Sequence, residues 1–176
     1  MTGVQTCALP IFSAFTADTP TPAAGTIALL AGGSSGTSVN VRVTATGLTG
    51  FFGAAFRIKY DTTALLFNGM TDSASFLRIG VTDANVFFLA DATSVPGEVL
   101  ITATRIDPTI APPVNVTLTS DLVVLNFIAR VAIAAGVTAG RLDFGDPKQV
   151  CDGTVAVPGC GAVAVTSWSG GGVSAQ

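Results

Sequence analysis

Three aspartates fall close together in LDFGDPKQVCDG, at Asp143, Asp146 and Asp152. A hard cation such as calcium takes roughly six to eight oxygen ligands, and three carboxylates could supply part of that shell. Asp-Pro and Asp-Gly are equally the ordinary chemistry of turns. The spacing fits no EF-hand loop, so the turn assignment is the simpler one. Glycoside hydrolysis requires two carboxylates about 5–9 Å apart, but the single glutamate, Glu98, has no acidic residue at i±2. Histidine is absent, which removes the commonest general base and metal ligand together. With no GxSxG, no Ser/His pair and no phosphate-cradling glycine loop, the residues point to no reaction. No catalytic residue, metal set or cofactor is assigned.

Cysteine chemistry is more specific. Cys151 and Cys160 bracket a Gly- and Pro-punctuated turn, CDGTVAVPGC. A disulfide there would close a short loop and stabilise by about 2–3 kcal/mol. Two free thiols are the rival state. The pair favours an oxidising, extracytoplasmic setting, and zinc is disfavoured without a CxxC pair or a histidine. Sugar recognition stacks rings on exposed aromatics, yet the chain has one Trp and one Tyr beside 11 Phe. Trp168 is the candidate platform, although a single Trp at a domain edge more often covers the end of a core. Asn115-Val116-Thr117 fits a glycosylation sequon and reads most simply as a polar loop.

The elements that must position these residues centre on Phe51–Phe67. Phe56, Ile58 and Tyr60 alternate with Arg57 and Lys59, the period of a half-buried strand. Asp61-Thr62-Thr63 makes a polar corner in which the Asp side chain can bond backbone two residues on. An apolar run resumes at Ala64–Phe67. Before this unit, Thr26–Ala31 is a short apolar run, GGSSG at Gly32–Gly36 a loop, and Thr37–Thr46 a strand with one wet face. After it, Asp72 caps a short helical turn over Ser73–Ile79 that Gly80 stops. Val86–Ala90, Glu98–Ile106, Leu122–Ile133, Gly140–Gly145 and Ala162–Ser167 are the remaining strands. Strands recurring every ten or so residues with almost no helix indicate an all-β sandwich or jelly roll.

The 176 residues suffice for one domain with a sizeable core. They are 49% hydrophobic and only 11% charged, with 20 Gly and 9 Pro, as suits short strands with uncharged outer faces. A net charge of −3 and eight scattered basic residues exclude a nucleic-acid patch. No stretch approaches the ~18 apolar residues of a membrane helix. MTGVQTCALPI, residues 1–11, matches the translated read-through of a sequencing adapter and is set aside as an assembly artefact. The tail of a signal peptide is the rival explanation, though it lacks a positive n-region. On the first view the natural start, with any signal peptide, has been lost. Residues 12–25 are expected to form a Thr/Pro-rich linker, 26–168 the sandwich, and 169–176 a Gly/Ser-rich tail.

Phe56-x-x-x-Tyr60-Asp61-x-x-x-Leu65 resembles the F-x-x-x-Y-D-P-x-x-L signature of cohesin domains, with Gly69 following at a suitable distance. Gly97-x-Val99-x-Ile101, Leu122-x-x-Leu125-x-Phe127 with Gly136 after it, and Gly161-x-Val163-x-Val165 resemble later strands of that family in order. The resemblance implies a nine-stranded jelly-roll sandwich acting as a non-catalytic, extracellular or cell-surface protein-binding module. A dockerin-like protein is the implied partner. A carbohydrate-binding or structural surface module on the same sandwich is the alternative. Thr62 stands at the usual Pro position. Gly53, Ala54 and Ala55 replace the polar residues that often precede the strand Phe for dockerin contact. Gly53, Ala55, Arg57 and Lys59 then form the expected partner face, with the two cations favouring an acidic partner.

Overall fold

The computed structural model describes residues 13–130, 138–154 and 161–175. It is all-β. In chain order the strands are β1 (Ser13–Ala17), β2 (Thr26–Ser35), β3 (Ser38–Thr46), β4 (Leu48–Phe51), β5 (Gly53–Tyr60), β6 (Leu65–Asp72) and β7 (Val86–Asp91). They continue as β8 (Glu98–Arg105), β9 (Val114–Val116), β10 (Ser120–Ala129), β11 (Thr138–Cys151), β12 (Ser167–Ser169) and β13 (Gly171–Ala175). One sheet runs β1-β13-β11-β5-β8-β7, a second β12-β2-β3-β10-β6, and β4 pairs with β9 apart from both. The helical turn expected over Ser73–Ile79 is a 3-10 turn at Ser75–Arg78. Asp72 accepts from the Ala74 N–H at 3.1 Å ahead of that turn and does not cap it.

The core lies between the two large sheets. Inward residues of β5, β8, β11 and β13 (Phe56, Ile58, Val99, Ile101, Leu142, Val173) meet those of β2, β3 and β10 (Ile27, Leu29, Val39, Val41, Val43, Leu125, Phe127), all buried. The Phe51–Phe67 unit carries the chain from one sheet to the other. Phe56 and Ile58 point in as their alternation requires, and Tyr60 packs edge-on to Phe127 with centroids 5.4 Å apart. At the corner the Thr63 N–H and hydroxyl both donate to Asp61 Oδ1, at 2.8 and 2.6 Å. Leu65 N–H donates to the Asp61 carbonyl at 2.8 Å, and the chain leaves as β6 with Leu65 buried.

Three expectations need correction. The two large sheets hold eleven strands among the described residues, not nine. The additions come from stretches expected to be linker and tail: Ser13–Ala17 pairs with Gly171–Ala175 along its whole length. Each contributes one apolar residue to the core, Phe15 and Val173. The sandwich therefore reaches beyond 26–168 at both ends. The expected strand Ala162–Ser167 is a single bridge from Ala162 to Cys151, and strand pairing starts only at Ser167, parallel to β2. Conversely, β11 continues past Gly145 to Cys151. Its register shifts between Gly145 and Lys148, so Pro147 sits where no ladder bond is required of it. Residues 131–133 of the expected long strand, and all of 1–11, lie outside the described residues.

Candidate functional site

Strand register places four side-chain columns on the outer face of the six-stranded sheet. Residues directly opposite in an antiparallel pair share a face. Gly53, Ala55, Arg57 and Lys59 of β5 stand opposite Thr104, Thr102, Leu100 and Glu98 of β8. On the other side they stand opposite Cys151, Gln149, Gly145 and Asp143 of β11. Beyond β8, Phe87, Leu89 and Asp91 of β7 stand opposite Thr104, Thr102 and Leu100. The four residues of the expected partner face are thus one column of a broad surface.

That surface is polarised. At one end Phe87 is 45% exposed and Leu89 42%, with Ile106, just past β8, at 56%. Between them and the small Gly53 and Ala55 lie only Thr102 and Thr104. Gly53 is required there: a Cβ on it would lie 2.2 Å from Thr104 Oγ1 and 2.9 Å from the Thr104 Cα. The other end is charged and internally paired. Arg57 Nη1 donates to Glu98 Oε2 at 3.1 Å, and Lys59 Nζ stands 3.6 Å from Glu98 Oε1. Arg141 Nε donates to both oxygens of Asp143, at 3.0 Å each. At the corner of the face, hydrogen bonds from the Ser94 hydroxyl and then from Thr93 pull the Asp91 carboxyl down to about 2.

This pairing corrects the expectation of an acid-seeking surface. Glu98 lies directly across from Lys59 and within reach of Arg57, so one carboxylate already serves both cations. Only register shows this. The apolar end went unread because Val86–Ala90 is a continuous apolar run, from which periodicity assigns no outward face. Five consecutive apolar residues next to a turn, with no polar alternation, were the available signal.

The three aspartates Asp143, Asp146 and Asp152 do not converge. Asp143 and Asp152 lie nine positions apart along extended chain, on the order of 30 Å at about 3.3 Å per residue. Asp143 is held by Arg141, and Asp152 accepts from the Thr154 N–H and hydroxyl at 2.8 and 2.7 Å. Among the described residues no group of three metal-capable side chains assembles. Trp168 is half-buried, with its ring edge-on to Phe144 at 5.0 Å and tilted against Phe56 at 6.0 Å, so it covers the end of the core. Asn115 accepts from the Gly50 N–H at 3.0 Å, tying β9 to the β4 strand. Cys151 ends β11 beside Ala162, and Asp152 N–H donates to the Gly161 carbonyl at 2.8 Å. Cys160 lies outside the described residues.

The family model described as "Cohesin domain" matches residues 26–149. The sixth cohesin of Acetivibrio cellulolyticus scaffoldin B, solved in complex with a Cel5 dockerin, is similar at TM-score 0.60 and 20% identity. The match covers 93% of this chain and 99% of that one. CaCohA2 of Clostridium acetobutylicum is similar at TM-score 0.56 and 21% identity, covering 78% and 80%. A non-cellulosomal cohesin from the archaeon Archaeoglobus fulgidus is similar at TM-score 0.54 and 11% identity, covering 93% and 89%. Comparison with curated proteins gave no match.

Proposed function

The chain belongs to the cohesin family, and on that premise we propose that it is a non-catalytic module that holds a protein partner on its outer β7–β8–β5–β11 face. One observation carries the choice of face. An exposed apolar end, Phe87, Leu89 and Ile106, adjoins an ion-paired end built on Arg57, Lys59 and Glu98. Apolar centre and polar rim are the anatomy of a protein interface. The partner is dockerin-like, and the module works outside the cytoplasm or at the cell surface. Its binding energy resides in the apolar end, because the cations are already partnered and rim charges act mainly on association rate. The carbohydrate alternative would rely on Trp168, whose ring is engaged with Phe56 and Phe144.

Gly53 and Ala55 offer a partner no hydrogen-bonding side chain. A typical type I dockerin is therefore expected to bind weakly, and a partner with an apolar contact surface tightly. The test is a titration of a dockerin panel at low and moderate salt. It is run on the native chain, on Phe87→Ser with Leu89→Ser, and on Arg57→Ala with Lys59→Ala. The apolar pair should weaken binding at least about tenfold, on the scale of two anchor side chains. The charge pair should change chiefly the salt dependence. Sub-micromolar binding that survives the serine changes would place the partner on another face.

A further inference from the structure

The outermost strand of the same sheet is built to pair. Two large sheets have four edges, and three are blunted. The β12 strand has only three residues. The β6 edge carries an extra residue at Asn68, where its register with β10 shifts, followed by Gly69 at φ +122°. The β1 edge has five residues and its first N–H donates to the carbonyl of Gly36, in the turn between β2 and β3, at 3.2 Å. The β7 edge, VFFLAD, has none of the usual protections: no Lys, no Pro, no Gly and no shift in its register with β8.

Its free groups can be named. The Ile106 N–H donates to the Asn85 carbonyl at 3.0 Å, which makes Asn85 and Ile106 a bonded pair. Bonded and non-bonded pairs alternate along an antiparallel ladder. Residues 87, 89 and 91 therefore turn their backbone groups toward β8, while Val86, Phe88 and Ala90 turn theirs outward. The Val86 N–H is taken by the Asp83 carbonyl at the end of the preceding 3-10 turn; among the described residues no other backbone group bonds the Val86 carbonyl, Phe88 or Ala90.

We propose that the β7 edge is the contact through which two copies of this chain associate, antiparallel, about a two-fold axis through Phe88. With Phe88 opposite the partner's Phe88, Val86 falls opposite the partner's Ala90. The outward groups of Phe88, the Ala90 N–H and the Val86 carbonyl then form roughly four main-chain hydrogen bonds. The same register puts Phe87 opposite the partner's Leu89 on the outer face, so both exposed residues gain an apolar neighbour. Asp91, the strand's one charge, falls opposite the partner's Asn85 and meets no second carboxylate. Arg78, whose guanidinium lies 5.3 Å from the Phe88 ring, is already bound to Asp72 and Asp83. Among the described residues no exposed, unpaired cation flanks the axis. Any frame displaced by one residue would bring core-facing side chains opposite solvent-facing ones. The proposal goes beyond the partner-binding function: the pairing itself uses backbone groups, while Phe87 and Leu89 of the proposed partner face become neighbours of their counterparts in the second copy.

Six residues a side make an interface at the low end of specific contacts, so sedimentation velocity of the full chain should run from about 10 µM to about 1 mM. A monomer–dimer equilibrium is expected. Ala90→Pro removes one outward N–H and no bond to β8, so it should weaken association at least about tenfold while low-concentration circular dichroism stays unchanged. Amide hydrogen exchange of the native chain at both ends of the range is the second measurement. Slower exchange at Phe88 and Ala90 at high concentration supports the edge, and it decides alone if Ala90→Pro does not fold. A chain monomeric at the top concentration overturns the proposal. So does a dimer whose Phe88 and Ala90 amides exchange as fast as in the monomer, or one that a folded Ala90→Pro forms equally well.

Discussion

Arg57 and Glu98 are joined across the β5–β8 pair, Nη1 to Oε2 at 3.1 Å, while Lys59 stands opposite the same carboxylate at 3.6 Å. One acid thus holds two cations on a face that would otherwise carry two free positive charges. Such partly exposed pairs are worth less than about 1 kcal/mol. Replacing Glu98 by Gln should accordingly leave the unfolding midpoint in urea almost unmoved. Its effect belongs to encounter. An acidic partner should associate faster with the Glu98→Gln chain, and more steeply so as salt is lowered. Stopped-flow association at two ionic strengths measures this, and an unchanged salt slope would mean that the cations do not face the partner.

Gly53 and Thr104 set how closely β5 and β8 approach at the apolar end. A methyl at Gly53 would overlap the Thr104 side chain and come within 2.9 Å of its Cα. Backbone cannot step aside as a flexible side-chain tip can. Gly53→Ala should therefore destabilise by about 1–3 kcal/mol, the usual cost of overpacking. Ala55→Ser, on the same column, should stay within about 0.5 kcal/mol. Equilibrium urea unfolding of both variants is the measurement, and equal midpoints would contradict the close approach.

What was legible in the chain, and what was not, follows the range of the interactions. Phe56, Tyr60, Asp61 and Leu65 could be placed because alternation and Asx-turn chemistry are local, and each behaves as its neighbours demand. Cross-sheet facts could not. Ser13–Ala17 and Gly171–Ala175 are strands because they pair with each other across the whole length of the chain. Taken singly, each is small residues around one apolar side chain. Glu98 was recognised as a lone acid on a strand, but its two cationic partners depend on register. The outward turn of Phe87 and Leu89 depends on β7 lying at an edge, which a uniformly apolar run does not reveal.

Four turns repeat one device. Asp61, Asp91, Asp107 and Asp152 each accept, on Oδ1, the N–H and the hydroxyl of the Thr two residues later. These bonds favour the carboxylate and lower all four carboxyls. The Asp91 carboxyl, which also accepts from the Ser94 hydroxyl, comes down to about 2 from an ordinary 3.8. A group lowered by folding stabilises the fold above its unfolded value and loses that contribution as pH falls through its folded value. Thermal stability should therefore decline between about pH 4 and pH 2. Asp91→Asn, which has no proton to gain, should make that decline shallower. Melting curves of the two chains across this window provide the check; parallel curves would remove Asp91 from the account.

Arg105 is 1% exposed, and among the described residues its guanidinium donates to backbone carbonyls and to no carboxylate. Its Nη1 donates to the Pro112 carbonyl and its Nη2 to the Ile79 carbonyl, the latter at 2.7 Å, while Nε is buried without a partner. Burial lowers its pKa, yet a guanidinium titrates so high that it remains charged. Arg105 thus clamps two connecting segments, at Ile79 and Pro112, onto the end of β8. Arg105→Ala should cost about 3 kcal/mol, since two carbonyls lose a donor and a large side chain leaves a void. Arg105→Lys, able to reach one carbonyl but not fork to both, should cost less. A loss below about 1 kcal/mol for the alanine change would show that solvent replaces the clamp.

The last expectation concerns Cys151 and Cys160. Residues 151 and 152 are bonded to the returning chain at Gly161 and Ala162, and Cys160 is the next residue in the sequence before Gly161. Closing this short loop covalently should stabilise by about 2–3 kcal/mol, mostly by restricting the unfolded chain. The full chain has three cysteines. With 151 and 160 oxidised to each other, alkylation in denaturant should label one thiol before reduction and three after. Reduction should also lower the urea midpoint, and Cys151→Ser with Cys160→Ser should match the reduced chain. Three thiols labelled before reduction, in protein prepared under oxidising conditions, would rule the bond out.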